Sequence, residues 1–337
     1  MLLSHERLRR ILGALWLLDG LLQLQPRMFT TDLIGGVMAP ALQGQPAPVA
    51  TSLHWIIQLA ASHVVVTNLL IALAQLALGA SLLLGYRVNV ALVASVVWSL
   101  VVWFAGEGMG MLFTGRATAL TGAPGAVLLY GVLALALLPR RSLSKILTRP
   151  RPDGRAASWR TAHASVLSRD GLRTVLASFW FLAAALQTRP IWWQPGQIAQ
   201  TVQGAQSPGT LSGAVLDPTL RWLAGVTGGV EGPLNATLIL TFLALAGGIA
   251  FAQTDARVRL VLGISIVLSL LFWWGGQALG MALTGLATDL NSGPLLIVLA
   301  LCCWPQGQSA ALRTASAPSL IHVPLHTRRA ADTAAHP

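Results

Sequence analysis

Charge is scarce in this chain. Only 10% of its 337 residues are Asp, Glu, Lys or Arg, where a soluble domain carries about 25%. That shortage excludes an ordinary water-facing surface. Lysine is nearly missing, with Lys145 alone against 21 arginines. Seven His and two Cys leave little for metal chemistry. Of the His, only His63 is placed to reach the membrane and His54 to reach its edge, so bis-His haem ligation and a Cys/His metal site are excluded. Cys302 and Cys303 are neighbours near the cytoplasmic end of the last helix and read as packing residues in a reducing compartment. Strand-length segments of alternating polarity are missing, which excludes a membrane β-barrel. No nucleophile–base pair is in view, so a stand-alone enzyme is not expected and no catalytic residue is assigned.

What is abundant is apolar mass. Hydrophobic residues make up 54% of the chain, and the mean hydropathy is +0.66. This mass is gathered into runs of about the length that crosses a bilayer core of roughly 30 Å. The reading is an all-α integral membrane protein with eight transmembrane helices, at about 8–25, 60–85, 88–112, 122–139, 172–188, 233–253, 257–283 and 292–305. The basic start lacks a small-residue cleavage site, so the first helix is read as retained. Of the 22 basic residues, 18 fall on one side of these spans and four (Arg27, Arg116, Arg189, Arg221) on the other. The positive-inside rule then puts both termini and the central segment in the cytoplasm of a multi-pass inner (plasma) membrane protein. The Arg bias points to a GC-rich bacterial genome.

The chain repeats itself. LGALWLLDGLLQLQP from Leu12 matches LASFWFLAAALQTRP from Leu176, pairing Trp16 with Trp180, Gln23 with Gln187 and Arg9 with Arg173. Leu53, Trp55 and Asn68 pair with Leu220, Trp222 and Asn235, 167 residues on. Trp103, Gly106, Gly110-Met111 and Thr114-Gly115 pair with Trp273, Gly276, Gly280-Met281 and Thr284-Gly285, 170 residues on. Each copy has four expected helices, an even number, so the copies read as parallel repeats. The organisation is a first four-helix repeat at 1–139, a basic cytoplasmic linker at 140–171, a second repeat at 172–305 and a disordered cytoplasmic tail at 306–337. The linker is expected to attract anionic lipid at the cytoplasmic face, at about 1 kcal/mol per basic residue near the surface. A nucleic-acid partner is not expected.

A first helix just after an Arg, a long outer loop, then LLIALAQLALGASLLLGYRVNVALVAS with Arg87 at its turn resembles the DoxX-like superfamily. In the second copy GGIAFAQTDARVRLVLG is a poorer match. The resemblance implies four-helix bacterial membrane units. That superfamily includes the small subunit of thiosulfate:quinone oxidoreductase. Only fold and topology carry over.

Acids inside apolar segments are the candidates for chemistry. Asp19 lies in the first helix with Gln23 four residues on and Trp16 one turn below, on one face. Glu107 ends the third helix and His63 the outer end of the second. The second copy has Ala183 for Asp19 and Gln277 for Glu107, keeps Gln187, and gains Asp289 where the first has Ala119. Asp19, Gln23, His63, Glu107 and Trp16 are expected to line one cavity open to the outer face. Gln187, Gln277 and Asp289 are the second-repeat counterparts. No metal is assigned.

Gly106/Gly110 and Gly276/Gly280 read as GxxxG pairs for close helix packing. The loop that follows, ending at Pro124 or Pro294, is expected to dip back over the site. Trp55, Trp192, Trp193 and Trp222 read as an interfacial aromatic belt. Leu53–Ala60 and Leu220–Val226 read as short interfacial helices. These features fit first a non-catalytic membrane anchor or assembly subunit. A quinone-linked redox subunit with its site at the outer side of the first repeat, working with a redox protein partner, is the second reading. A small-molecule or ion transporter is the third.

Overall fold

The computed structural model describes residues 3–140 and 165–305. The linker expected at 140–171 falls mostly, and the tail expected at 306–337 wholly, outside the described residues. Eleven α-helices are described: α1 His5–Leu22, α2 Ala47–Ser62, α3 Val64–Leu84, α4 Val88–Ala105, α5 Ala126–Leu137, α6 Arg169–Gln187, α7 Gln197–Gly204, α8 Leu211–Thr227, α9 Glu231–Phe251, α10 Asp255–Gly275 and α11 Ser292–Cys303. Among the described residues there is no strand, only an isolated bridge between Pro139 and Ser165.

The expected eight spans are not found. Among the described residues four helices are long and apolar enough to cross a membrane: α3, α4, α9 and α10. The reasons are length and charge. Helices α5 and α11 have 12 residues each, about 18 Å at 1.5 Å per residue, well short of the bilayer core. Helices α1 and α6 open on HERLRR and RDGLR, and these basic starts shorten their apolar lengths.

Burial follows the same division. Nine of the 12 residues of α5 and eight of the 12 of α11 are buried, whereas at most 33% of any long apolar window is buried. The short helices are therefore interior and the long pairs peripheral. Helix α1 packs on α3, α4 on α5, α6 on α9 and α10 on α11. One core runs through both halves, from Leu12, Trp16 and Leu133 to Leu176, Trp180 and Leu299.

Matched positions make matched bonds. Trp16 Nε1 donates to Ser95 Oγ at 2.6 Å, and Trp180 Nε1 to Ser265 Oγ at 2.9 Å. Asn68 Nδ2 donates to the Gln23 carbonyl at 2.8 Å, and Asn235 Nδ2 to that of Gln187 at 3.2 Å. Arg9 donates to the Leu83 carbonyl and Arg173 to those of Ile249 and Ala252, so each cation holds carbonyls at the end of the neighbouring helix.

The expected short helices at Leu53–Ala60 and Leu220–Val226 lie within the longer α2 and α8. Trp55, Trp193 and Trp222 are exposed, but Trp192 is buried rather than part of a belt. Cys302 and Cys303 are buried and unbridged.

Candidate functional site

The residues around Glu107 adopt an unusual backbone. Gly108, Met109, Gly110 and Met111 all have φ between 53° and 61°. Ala278, Leu279, Gly280 and Met281 do the same, between 44° and 74°. Each is a left-handed turn, and each non-glycine residue in it costs about 1–2 kcal/mol. Gly110 and Gly280 are therefore turn residues and not the ends of helix-packing GxxxG pairs. A Cβ on Gly110 would fall on the Pro124 carbonyl.

These turns bring an oxygen back onto the next helix. The Val127 N–H donates to Glu107 Oε1 at 3.1 Å, and the Gly293 N–H to Gln277 Oε1 at 3.1 Å. Both side chains thus cap helix starts, where four amides otherwise lack partners and negative charge is favoured. Trp103 and Trp273 brace the same junctions, donating to the carbonyls of Pro124 and Leu290, each at 2.7 Å.

This geometry revises the sequence match. Helix α5 begins at Ala126 and α11 at Ser292, 166 residues apart. The second loop is four residues shorter than an offset of 170 implies. Asp289 therefore stands opposite Ala123 and not Ala119, and Leu290, not Pro294, stands opposite Pro124.

Trp16, Asp19, Gln23 and Glu107 line one cavity of 140 Å³. Asp289 lines it too, from the other half of the chain. His63 does not. It is exposed between α2 and α3, with its Nδ1 against Ser62 Oγ at 2.8 Å. Gln187 and Gln277 also lie elsewhere. Gln187 Oε1 accepts from Thr118 Oγ1 at 2.9 Å, and Gln277 Nε2 donates to Ser292 Oγ at 3.1 Å and to the Ala119 carbonyl.

Sequence reasoning missed Gln75, Trp98 and Tyr130, which complete the wall. Gln75 was findable: it is a polar residue within the apolar run of α3. Tyr130 carried no such signal. It is identified only by its ring, 4.5 Å from that of Trp16, and by its hydroxyl beside the Asp19 carboxyl.

Polar atoms in this wall are left over. Gln23 Oε1, Gln75 Oε1, Glu107 Oε2 and Trp98 Nε1 have no hydrogen-bond partner among the described residues, and the Asp19 carboxyl has the Tyr130 hydroxyl beside it. Asp19, Gln23, Gln75 and Tyr130 are each at most 4% exposed. Leaving such a group unpaired costs about 1–3 kcal/mol. Asp19, Glu107 and Asp289 also form no ion pair among the described residues. Burial pushes the Glu107 carboxyl up to about 8, and the Asp289 charge adds to the rise. Burial also raises Asp289, whose oxygens accept from the Asn291 N–H and Thr288 Oγ1.

The matched region of the second half is closed. Ala183 replaces Asp19, Phe242 stands for Gln75 and Phe272 for Val102. The two Phe rings are 5.7 Å apart, and Trp180 lies 5.5 Å from Phe242 and 6.5 Å from Phe272. Gln187 and Gln277 have partners where Gln23 and Glu107 have spare oxygens.

Trp98 also lines an apolar groove of 450 Å³ on the seam of α3 and α4, with Ala74, Leu78, Val90, Ala94 and Val97. Among the described residues no three of His, Cys, Asp and Glu are grouped to hold a metal ion.

No family model matches the chain, and no curated protein or solved structure is significantly similar to it. The chain is a multi-pass all-α membrane protein.

Proposed function

We propose that this protein is a quinone-linked membrane subunit that binds a hydroquinone ring in its first half. One observation carries the reading. The first half keeps a cavity rimmed by the buried oxygens of Asp19, Gln23, Gln75 and Tyr130, with Gln23 Oε1 and Gln75 Oε1 unpaired, while in the second half Ala183 and Phe242 stand for Asp19 and Gln75 and Gln187 Oε1 is paired. A cavity of about 150 Å³ takes up one benzene ring, so 140 Å³ suits a single six-membered ring. Three of the four side chains offer acceptor oxygens, which calls for a ligand that donates. The two O–H groups of a hydroquinone do so, and Trp16, Trp98 and Tyr130 supply aromatic walls. The groove on the α3–α4 seam meets the cavity at Trp98 and suits an apolar tail.

The matched Trp–Ser, Asn–carbonyl and helix-capping bonds support descent of the two halves by duplication. A bacterial inner membrane with both termini cytoplasmic and anionic lipid beneath belongs to the same proposal. In this reading electrons pass to or from a separate redox protein.

The test is gentle purification from native membranes with a mass-spectrometric inventory of bound quinone, lipid and protein. Stoichiometric quinone that is lost in Asp19→Asn is the expected result. A stable protein partner with no quinone in any preparation refutes the reading and leaves a membrane anchor.

A further inference from the structure

A polar chamber of 350 Å³ adjoins the cavity. Arg27, Ser207, Thr210, Thr284 and Asn291 line it. Val37, Thr288 and Asp289 belong to chamber and cavity alike. A carboxylate therefore stands in the wall between the two spaces. Its local bonds to the Asn291 N–H, at 2.6 Å, and to Thr288 Oγ1, at 2.8 Å, hold it there.

Chamber and cavity differ in chemistry. The chamber wall includes hydroxyls, an amide and a guanidinium beside apolar residues such as Met281 and Leu286, and the buried Ser207 Oγ has no partner among the described residues. At about 30 Å³ per molecule a polar space of this size holds on the order of ten waters. Arg27 does not neutralise Asp289. Its Nε pairs with Asp32 at 2.8 Å and its Nη1 donates to the Thr284 carbonyl at 3.1 Å. The titratable groups that face Asp289 are Asp19, Glu107 and Tyr130 across the cavity and Arg27 across the chamber.

The sequence asymmetry now has a reason. The second half has Ala183 and Phe242 where the first has Asp19 and Gln75, yet it carries Asp289. Most of the chamber wall comes from this half, and only Arg27, Gly36 and Val37 come from the first.

Resting on the hydroquinone reading above, we propose that Asp289 is a proton relay between the cavity carboxyls, Asp19 and Glu107, and water in the chamber. The ring and the proton then use different doors. The ring enters from the apolar seam of α3 and α4. As the ring gives its electrons to the redox partner, a ring hydroxyl passes its proton to the free oxygen of a cavity carboxyl, whose own proton moves on to Asp289 and so to the chamber. No covalent bond other than O–H is made or broken in this relay.

The experiment is infrared spectroscopy of the full chain in lipid nanodiscs. The C=O band of protonated Glu107 is followed after a switch from H₂O to D₂O buffer held well below the raised Glu107 value of about 8. Loss of the band in Glu107→Gln assigns it. Asp289→Asn is expected to slow deuteration tenfold or more, and Asp289→Glu to restore it. Ser207→Leu, which fills the chamber and leaves Asp289 in place, is expected to slow it as well. This second variant decides the matter if Asp289→Asn does not fold. Unchanged deuteration in the folded variants overturns the relay. Duroquinol binding to the same wild-type sample is read separately. Slowed exchange without duroquinol binding keeps the relay and removes the hydroquinone reading.

Discussion

Replacing Glu107 by Ala and by Gln separates its capping role from its acidity. Glu107 Oε1 is the side-chain partner of the Val127 N–H in the first turn of α5. Alanine leaves that amide unpaired in a buried site, which costs about 1–3 kcal/mol. It also enlarges the adjoining cavity, and the combined loss is about 2–4 kcal/mol. Glutamine keeps Oε1. Its amide nitrogen replaces Oε2, which has no partner to lose. The second half shows that an amide caps this junction, because Gln277 accepts from the Gly293 N–H in the same way. Gln277 also donates to Ser292 Oγ, whereas the first half has Ala126 at that place. Glu107→Gln is therefore expected to change stability by less than about 1 kcal/mol at neutral pH. Gln277→Ala is expected to cost more than Glu107→Ala, since it breaks further bonds. The assay is thermal unfolding in one detergent, where about 2 °C corresponds to each kcal/mol in a chain of this size. The reasoning fails if Glu107→Gln is as damaging as Glu107→Ala, or if Glu107→Ala is silent.

The remaining expectations follow from single contacts. Burial places the Glu107 carboxyl at about 8, above its ordinary 4.5. Folding therefore favours the protonated form, and this stabilisation is complete below the ordinary value and is lost as pH rises through about 8. A plot of melting temperature against pH is expected to slope downward over that interval, and Glu107→Gln to flatten it. Ser265→Ala strips the buried Trp180 indole of its acceptor and is expected to lower stability by about 1–3 kcal/mol. Ser95→Ala does the same to Trp16, and no loss in either variant contradicts the pairing. Met281 sits at φ 54° with an exposed side chain, so Met281→Gly removes about 1–2 kcal/mol of left-handed strain and is expected to raise the melting temperature. Gly280→Ala in the same turn is expected to lower it, because its Cβ meets the Leu290 backbone.

Much of the architecture was written in periodic and repeated residues. Trp16 with Trp180, Asn68 with Asn235 and Arg9 with Arg173 marked positions that make the same bonds in the two halves. Hydropathy was a poorer guide to spans, because apolar runs do not distinguish contact with lipid from contact with protein. The run around Leu129–Leu137 is apolar since α5 is enclosed by other helices, and at 12 residues it is too short to cross. The glycines of GEGMGM suggested helix packing because GxxxG spacing says nothing about the sign of φ. At the site, Trp16, Asp19, Gln23 and Glu107 were legible as polar or aromatic interruptions of apolar segments. His63 was misjudged by one turn, since α2 ends at Ser62 and leaves the imidazole outside. Asp289 was recognised as an acid of the second half but not as part of the first-half cavity, because no linear pattern reveals a loop that reaches across to it. Phe242 and Phe272 stand where Gln75 and Val102 line the cavity, and nothing in the linear sequence singled them out.

The central claim is that the first half keeps open a binding space that the second half has filled. Transplanting the filling tests it most directly. Duroquinol binding is measured by calorimetry on the purified wild type and on the double variant Gln75→Phe, Val102→Phe, which copies Phe242 and Phe272 into the first half. The account predicts one bound ring in the wild type, none in the double variant, and a melting temperature at least as high once Gln75 no longer leaves an unpaired buried oxygen. Binding that survives in the double variant, or a wild type that binds no ring, contradicts it.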